Sequence, residues 1–184
     1  MRRTVLTGFV AVMAFTAMPA DAGQNDPRLA PLFVALKATQ SADSARVIEG
    51  EIAHIWAETP DPETQRLMEK GLTLMAEDED EAALKTFDAM VAQAPDFAEG
   101  WNKRATIEFL LGDYRASMAD IARTLKLEPR HFGALAGLGQ VELALGNKTA
   151  ALEAFSQALA IDPYLGDVAN MAEQLKKDLA GKPI

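Results

Sequence analysis

Three prolines recur in this chain at an interval of 34 residues, and they are Pro95, Pro129 and Pro163. Proline cannot continue a helix, and it disfavours helix at the residue before it, so a regular proline marks the end of a regular unit. When each unit is counted so that it closes two residues after its proline, three units of equal length follow one another without insertions. The units are 64–97, 98–131 and 132–165. A period of this length is typical of helical hairpins that stack to cover one another's apolar faces.

Each unit carries two apolar stripes at helical spacing, and the third unit shows them most clearly. Its stripes are Leu135, Leu138, Leu143 and Leu145, followed by Ala151, Leu152, Phe155 and Leu159. We expect the small residues Gly139 and Ala151 to let the two helices approach closely. Gly146 is expected to end the first helix, because glycine adopts a left-handed conformation without a steric penalty.

The same residue types occupy matching positions in all three units. They are Leu67, Gly71, Ala83 and Phe87 in the first, Trp101, Ala105, Gly112 and Leu125 in the second, and Leu138, Gly139, Gly146, Ala151, Phe155, Ala158 and Leu159 in the third. In this pattern the chain resembles the tetratricopeptide repeat family over residues 64–165. The resemblance implies an all-α fold, a right-handed α-solenoid of three helix pairs whose first helices line a concave groove. It also implies that the groove binds another protein or a peptide.

The resemblance carries a set of groove positions onto this chain. The candidate partner-binding residues are Met68, Leu72, Met75, Asn102, Thr106, Phe109, Gln140 and Leu143. Chaperone-binding members of the family have a lysine and an asparagine where this chain has Met68 and Leu72, so a carboxylate clamp is not expected. An apolar peptide or helix suits such a groove better. The alternative is that some of these side chains only pack against a neighbouring helix.

The second unit departs from the pattern at Arg104, where a leucine is usual. Arg104 shares a helix face with Glu108, and Asp120 on the facing helix is a further candidate ion-pair partner. A structural ion pair and a partner-binding arginine are both consistent with this arrangement. The unit has a net charge of +1, beside −5 in the first unit. Its candidate basic band consists of Lys103, Arg104, Arg123 and Arg130.

The first unit has an acidic run, residues 77–81, where the turn between its helices is expected. Asp78 stands where the second and third units have glycine. A calcium loop needs alternating ligands and a glycine bend. The run lacks both, which favours a solvated acidic turn.

Residues 1–22 have the pattern of a secretory signal peptide, with Arg2 and Arg3 before an apolar run and small residues around the expected cut after Ala22. The pattern predicts export to the periplasm of a bacterium, with no membrane insertion after cleavage. Residues 23–63 contain two further apolar stripes and predict an N-terminal helical hairpin with a linker. We expect the hairpin to cap the solenoid by covering the first repeat. Residues 166–184 predict a C-terminal capping helix and tail.

The chain has a net charge of −9, which becomes −10 without residues 1–22. Such a charge argues against a nucleic-acid partner. The sequence has no cysteine, two histidines, and neither a nucleophile elbow nor a glycine-rich phosphate loop. We therefore predict no catalytic, cofactor-binding or metal site and no enzymatic activity.

The leading hypothesis is a non-enzymatic periplasmic scaffold or adaptor that binds a protein through the groove. One alternative is a peptidoglycan- or small-ligand-binding module that uses the basic band. Another is a self-associating structural protein.

Overall fold

The computed structural model describes residues 22–181, and these fold into helices only, without a strand. The predicted signal peptide, except for Ala22, and the last three residues lie outside this range. A short 3-10 helix (Gly23–Asn25) comes first. The α-helices are α1 (Leu29–Ala38), α2 (Ala42–Ala57), α3 (Pro62–Ala76), α4 (Asp80–Gln93), α5 (Ala98–Leu110), α6 (Tyr114–Leu127), α7 (Phe132–Ala144), α8 (Lys148–Ile161) and α9 (Gly166–Ala180). The predicted all-α fold is confirmed.

From α3 to α9, each helix packs against the next helix along the chain. The pairs α3–α4, α5–α6 and α7–α8 correspond to the three sequence units, and α9 packs on α8. Short loops between consecutive helices produce antiparallel neighbours. The repeats therefore form a continuous stack, because each apolar face is covered by the following helix.

Glycine–phenylalanine contacts determine how closely the helices approach in the first and third repeats. A Cβ atom built on Gly71 would lie closer than 3 Å to the ring of Phe87, and one built on Gly139 would be equally close to the ring of Phe155. Both rings are fully buried. The close approach expected at Gly139 and Ala151 is therefore present, and the ring of Phe155 fills the space beside these two small residues.

The second repeat replaces this contact with a smaller pair, Ala105 and Ile121, both buried in one cluster. Ser117 adds a hydrogen bond, because its hydroxyl donates to the carbonyl of Ala105 at 2.8 Å. An alanine methyl group and a branched aliphatic side chain thus take the place of a bare Cα and a ring.

The turns between the two helices of each repeat share one backbone conformation. Asp78, Gly112 and Gly146 have φ values of 57°, 81° and 80°, in the left-handed region. In each turn the next residue donates its amide hydrogen to a carbonyl five residues back, as Asp113 does to Glu108 at 2.8 Å. This is the Schellman ending of a helix, which normally requires glycine. Asp78 adopts it in the exposed acidic turn.

The N-terminal hairpin, α1 and α2, lies along the turns that join the repeats. Phe33, Ile52 and Trp56 share a core cluster with Phe132 at the start of α7, and Ile161 and Tyr164 near the α8–α9 turn pack against that cluster. The hydroxyl of Tyr164 donates to the carbonyl of Thr39 at 2.7 Å. The expectation that the hairpin caps the first repeat is therefore wrong. The apolar stripes of the hairpin instead cover apolar side chains at the α6–α7 and α8–α9 turns.

Three of the turns contain an acid–proline pair: Asp26–Pro27, Glu128–Pro129 and Asp162–Pro163. In each, the carboxylate accepts the backbone amide hydrogen two residues later, at 2.8 to 2.9 Å. All three carboxylates are buried. These acids therefore hold the backbone of the turn that leads into the hairpin and of the two turns on which the hairpin is seated.

Helix α9 closes the stack with a narrow apolar face formed by Val168, Ala172 and Leu175. Lys148 at the start of α8 forms an ion pair with Asp178 near the end of α9. Among residues 22–181, no helix is both long and apolar enough to cross a membrane.

We predict that Gly139→Ala lowers the free energy of unfolding by about 2 kcal/mol, because the new methyl group collides with the ring of Phe155. The matched control is Gly50→Ala. Gly50 lies inside α2 with nothing near its Cβ position, so this change should raise the free energy of unfolding by about 1 kcal/mol through helix propensity. Urea unfolding of both variants measures the effects, and the same sign in both would contradict the packing.

We predict that Asp78→Gly raises the free energy of unfolding by about 1 kcal/mol, because glycine removes the cost of a left-handed aspartate. Glu77→Gly, one residue earlier at φ −96°, is the control and should bring no gain. Urea denaturation midpoints compare the two variants. A gain at both positions would point to relief of charge repulsion in the acidic run rather than of backbone strain.

Candidate protein-binding groove

A small pocket opens between α5 and α7, with a volume of about 50 Å³. Its residues are Asn102, Ala105, Thr106, Phe109, Ser117, Ile121, Gly133, Ala134, Gly137 and Gln140. The apolar residues form most of the lining, and the amides and hydroxyls add polar atoms. Four of the predicted groove residues meet here, namely Asn102, Thr106, Phe109 and Gln140.

Helix α5 presents three of these side chains at helical spacing. The Thr106 hydroxyl donates to the carbonyl of Asn102 at 3.0 Å, and the Asn102 amide donates to Glu99 at 3.1 Å. The Phe109 ring packs beside Tyr114, with a centroid separation of 5.6 Å. Gln140 is exposed on α7. The amide oxygen of Asn102 and the Gln140 side chain can therefore hydrogen-bond to a segment lying across the pocket.

The pocket exists because the second repeat lacks the glycine–phenylalanine contact that the first and third repeats share. Ile121 occupies the position of the buried rings, and the Cβ position of Gly137 is 3.7 Å from its Cδ1 atom. The sequence reasoning missed Ile121, Ser117 and Gly137 as pocket residues. The signal was visible in Ser117 and Ile121, which replace the alanine and phenylalanine of the other units.

The other predicted groove residues are not brought together at this pocket. Met68 is only 1% exposed, in a core cluster with Phe87, so its assignment to an open surface was wrong. Met75 packs partly against the same cluster, and Leu143 packs partly against that of Phe155. Leu72 is 38% exposed on α3. The alternative of packing against neighbouring helices thus applies to Met68, and in part to Met75 and Leu143.

A wider cleft of about 570 Å³ adjoins the pocket, and Gln140 lines both. Its walls come from α2, α7 and α9, and Arg46, Glu49, Tyr164 and Asp167 are among its residues. The N-terminal hairpin therefore contributes one wall of the groove region. This contribution was not expected from the sequence, because it depends on where the hairpin is seated.

Glu49 and the fully buried Asp162 bring two carboxyl groups together at this cleft. Burial and the neighbouring charge of Asp162 raise the pKa of Glu49, and burial raises that of Asp162. The two groups are close enough to share a hydrogen bond when one is protonated. Within residues 22–181, Oε1 of Glu49 and Oδ2 of Asp162 have no other partner.

His131 joins the hairpin to the groove. Its Nδ1 atom accepts the amide hydrogen of Ala134 at 3.1 Å, so Nε2 carries the proton and donates to Glu99 at 2.8 Å. The imidazole stacks on Trp56 at 4.0 Å between centroids. Burial alone would raise the pKa of Glu99, but the bond from His131 and the charge of Lys103 lower it to about 2. Glu99 is thus a buried anion beneath Asn102.

Each cation of the predicted basic band has a carboxylate partner within the protein. Lys103 pairs with Glu99 at 2.9 Å, Arg104 with Asp120 at 2.6 Å, Arg123 with Asp96 at 3.1 Å and Arg130 with Glu128 at 2.7 Å. Arg104 and Arg123 share the ring of Trp101, whereas Arg130 lies over Phe33. The four residues therefore form separate internal pairs rather than one cationic surface.

Arg104 holds Asp120 through two hydrogen bonds, at 2.6 and 2.9 Å, and Asp88 through a third at 2.9 Å. Its side chain is 19% exposed. The structural ion pair is thus present, and it links α4, α5 and α6. A guanidinium engaged in this way has little capacity left for a partner.

Glu108 lies at the edge of this network, with Nε of Arg104 at 3.7 Å. Burial and the charge of Asp120 raise the pKa of Glu108 to about 7. Its Oε2 atom has no hydrogen-bond partner in the part of the chain that the structure describes. An ionised Glu108 is therefore poorly compensated.

We predict that the wild type becomes less stable as pH rises and that Glu108→Gln does not show this part of the decrease. Unfolded glutamate titrates at about 4.5, whereas folded Glu108 keeps its proton to about pH 7. The native state binds more protons between these values, so its stability falls through that window. The variant should match the wild type near pH 4.5 and exceed it by about 1 kcal/mol near pH 8 in urea unfolding. Exposed Glu81→Gln is the control, and an identical pH dependence in both variants would contradict the assignment.

The family model described as a tetratricopeptide repeat matches residues 102–165. A tetratricopeptide repeat-containing protein of Rhizobium etli is 38% identical over 154 residues, which cover 84% of this chain and 76% of that protein. The human SGT1 homolog is 30% identical over 103 residues, which cover 56% of this chain and 28% of that protein.

Solved structures show the same solenoid. The first TPR of Spaghetti (RPAP3), bound to the HSP90 peptide SRMEEVD, has a TM-score of 0.62 at 18% identity and covers 65% of this chain and 94% of that one. MamA has a TM-score of 0.61 at 17% identity, with 77% and 86% covered. The Yersinia enterocolitica type III secretion chaperone SycD, in complex with a peptide of YopD, has a TM-score of 0.59 at 14% identity, with 62% and 92% covered.

These structures confirm the predicted helical-repeat solenoid. The Rhizobium etli relative, which this chain matches over most of its length, supplies the evidence for the family. The chain belongs to the tetratricopeptide repeat proteins.

Proposed function

We propose that this protein is a non-enzymatic adaptor that binds an extended peptide segment of another protein between α5 and α7. The observation that supports this most directly is the pocket beside Ile121, which is largely apolar and carries amide groups. Binding sites in proteins combine apolar surface with a few polar groups that fix orientation. The arrangement suits recognition of a peptide rather than catalysis.

The size and chemistry of the pocket define its occupant. A space of about 50 Å³ suits a small apolar side chain such as valine or proline. The apolar contacts with Phe109 and Ile121 would provide affinity. Asn102 and Gln140 would hydrogen-bond to the peptide backbone, whose polar groups need partners when water is displaced.

The structural neighbours support a peptide as the ligand class. RPAP3 and SycD were each solved with a bound peptide. The HSP90 peptide, SRMEEVD, ends in two glutamates, a valine and an aspartate. Here Met68 is buried and Leu72 is apolar, where chaperone-binding members carry a lysine and an asparagine. We therefore propose a ligand other than an acidic chaperone tail.

The proposal includes a location outside the cytoplasm, in the periplasm, supported by the pattern of residues 1–22. Cell fractionation, with mass spectrometry of the N-terminus, tests it. A chain that begins at Gly23 in the periplasmic fraction is the expected result. A cytoplasmic chain that retains residues 1–22 would contradict export and leave the peptide-binding proposal standing.

The basic-band alternative has lost its main support, because all four cations are paired internally. A ligand with anionic groups would have to compete with Asp120, Glu128 and the other carboxylates. We therefore place binding in the pocket and treat self-association as an outcome that light scattering would reveal.

We predict that the double substitution Ala105→Gly and Ile121→Phe closes the pocket without loss of stability. It gives the second repeat the glycine–phenylalanine pair of the other two, so the ring should fill the space that Ile121 leaves open. Peptides selected on the wild-type chain from a random heptapeptide display library should bind the double variant about tenfold more weakly or worse. Fluorescence anisotropy measures the affinity, and thermal unfolding verifies the fold.

The control is Leu145→Ala, which removes a half-exposed leucine at the end of α7 outside the pocket. It should leave peptide affinity unchanged. If selection yields no peptide, or yields peptides that bind the double variant as well as the wild type, the proposed function is wrong. Weakened binding on Leu145→Ala alone would place the site elsewhere on the solenoid.

A further inference from the structure

We infer that the peptide recognised by the groove carries a lysine or arginine beside its apolar anchor, and that this basic side chain binds at the Glu49–Asp162 carboxyl pair. The inference rests on the proposed function, because it describes a second subsite for the same ligand. It gives the N-terminal hairpin a role in recognition, since Glu49 belongs to α2.

The two subsites are continuous. Gln140 lines both the pocket between α5 and α7 and the cleft that contains Glu49. An extended peptide with one side chain beside Ile121 therefore passes into the cleft within the next few residues, since each residue of an extended chain advances about 3.3 Å. The cleft volume of about 570 Å³ accommodates a long basic side chain.

The carboxyl pair lacks the compensation that equivalent acids have elsewhere in the chain. In the turns at Asp26 and Glu128, an arginine two residues later binds the carboxylate, Arg28 at 2.7 Å and Arg130 at 2.7 Å. At Asp162 the corresponding residue is Tyr164, whose hydroxyl donates to the carbonyl of Thr39 instead.

The unpaired oxygen of Asp162 belongs to a fully buried residue, and its carboxyl group is directed at Glu49, which lines the cleft. Within residues 22–181, Oδ2 of Asp162 and Oε1 of Glu49 have no partner other than each other. The charge of the exposed Arg46, which is paired with Asp43, opposes the rise in the pKa of Glu49 without cancelling it. A buried carboxyl pair with so little compensation is a costly arrangement that an incoming ammonium or guanidinium would relieve.

The surroundings favour a cation over an anion. The charged and titratable groups facing Glu49 are Arg46 on α2, Asp162 and Tyr164 in the α8–α9 turn, and Asp167 on α9. Arg46 is held by Asp43 at 2.6 Å. The groups that remain are acidic apart from the tyrosine, and the net charge of −9 attracts basic segments from a distance.

Binding should release a proton. Burial and the charge of Asp162 raise the pKa of Glu49 in the free protein, so the pair holds a proton above the ordinary range of a glutamate. An incoming lysine keeps its own proton there and displaces the shared one, which passes to the buffer. The affinity for a basic peptide should therefore increase as pH rises above that range.

The experiment uses the heptapeptides selected by display on the full chain. The expected result is enrichment of lysine or arginine within a few positions of a small apolar residue. A selected lysine peptide is then compared with its norleucine analogue, which keeps the side-chain length and lacks the charge. The wild type should bind the lysine peptide about tenfold more tightly than the analogue near pH 8, and the difference should shrink near pH 5.

Glu49→Gln should abolish the preference for lysine, because the glutamine keeps a donor to Asp162 and cannot become anionic. Glu51→Gln, on an exposed position of the same helix, is the matched control and should keep the preference. Asp162→Asn is the second test variant, because asparagine retains the acceptor for the amide of Tyr164. Thermal unfolding of each variant checks that the hairpin remains seated.

The outcomes separate this inference from the proposed function. Peptides that need the open pocket but contain no basic residue would overturn the basic subsite and leave the adaptor proposal intact. A lysine preference that survives in both Glu49→Gln and Asp162→Asn would also overturn it. If no selected peptide depends on the pocket, the proposed function fails, and the inference fails with it.

Discussion

The contact between a glycine and an aromatic ring governs the packing of this solenoid. At Gly71 and Gly139 the bare Cα lets the ring of Phe87 or Phe155 lie directly against the facing helix. Packing of this kind tolerates little change in volume, because protein interiors are as dense as molecular crystals. The second repeat relaxes the contact with Ala105 and Ile121, and the pocket between α5 and α7 is the local result. The candidate binding site thus lies at the one repeat of the three that lacks the glycine–phenylalanine contact.

The turns between repeats determine where the N-terminal hairpin packs. Their buried acids hold the backbone through Glu128 and Asp162, and their aromatic neighbours seat the N-terminal hairpin. Stacking of Trp56 on His131 places α2 beside the groove, and the hydrogen bond from His131 keeps Glu99 ionised beneath Asn102. A buried ion with several partners is stable, whereas Oε1 of Glu49 and Oδ2 of Asp162 have no hydrogen-bond partner beyond this pair among the described residues. The contrast explains why we assign structural roles to Glu99 and Arg104 and a binding role to Glu49.

The local features of the fold were predictable because they depend on residues close in sequence. The 34-residue proline interval placed the helix pairs, and Gly112 and Gly146 marked the turns. Asp120 was among the predicted partners of Arg104 because it lies on the facing helix of the same repeat, whereas Asp88 belongs to the preceding repeat and was not predicted. Met68 was misplaced because its position in the repeat matches the groove, while its actual neighbours, among them Phe87, come from another helix.

The sequence by itself determined the number and length of the helical pairs, the backbone of their turns and the absence of the residues that a carboxylate clamp requires. These properties follow from local conformational preferences and from a period that only stacked hairpins satisfy. Tertiary structure alone decided where the N-terminal hairpin is seated, that each cation of the basic band is neutralised, and that Glu49 meets Asp162. The physical reason is that these contacts join residues far apart in the chain. Their partners are selected by shape and charge on assembled surfaces, which no single repeat contains.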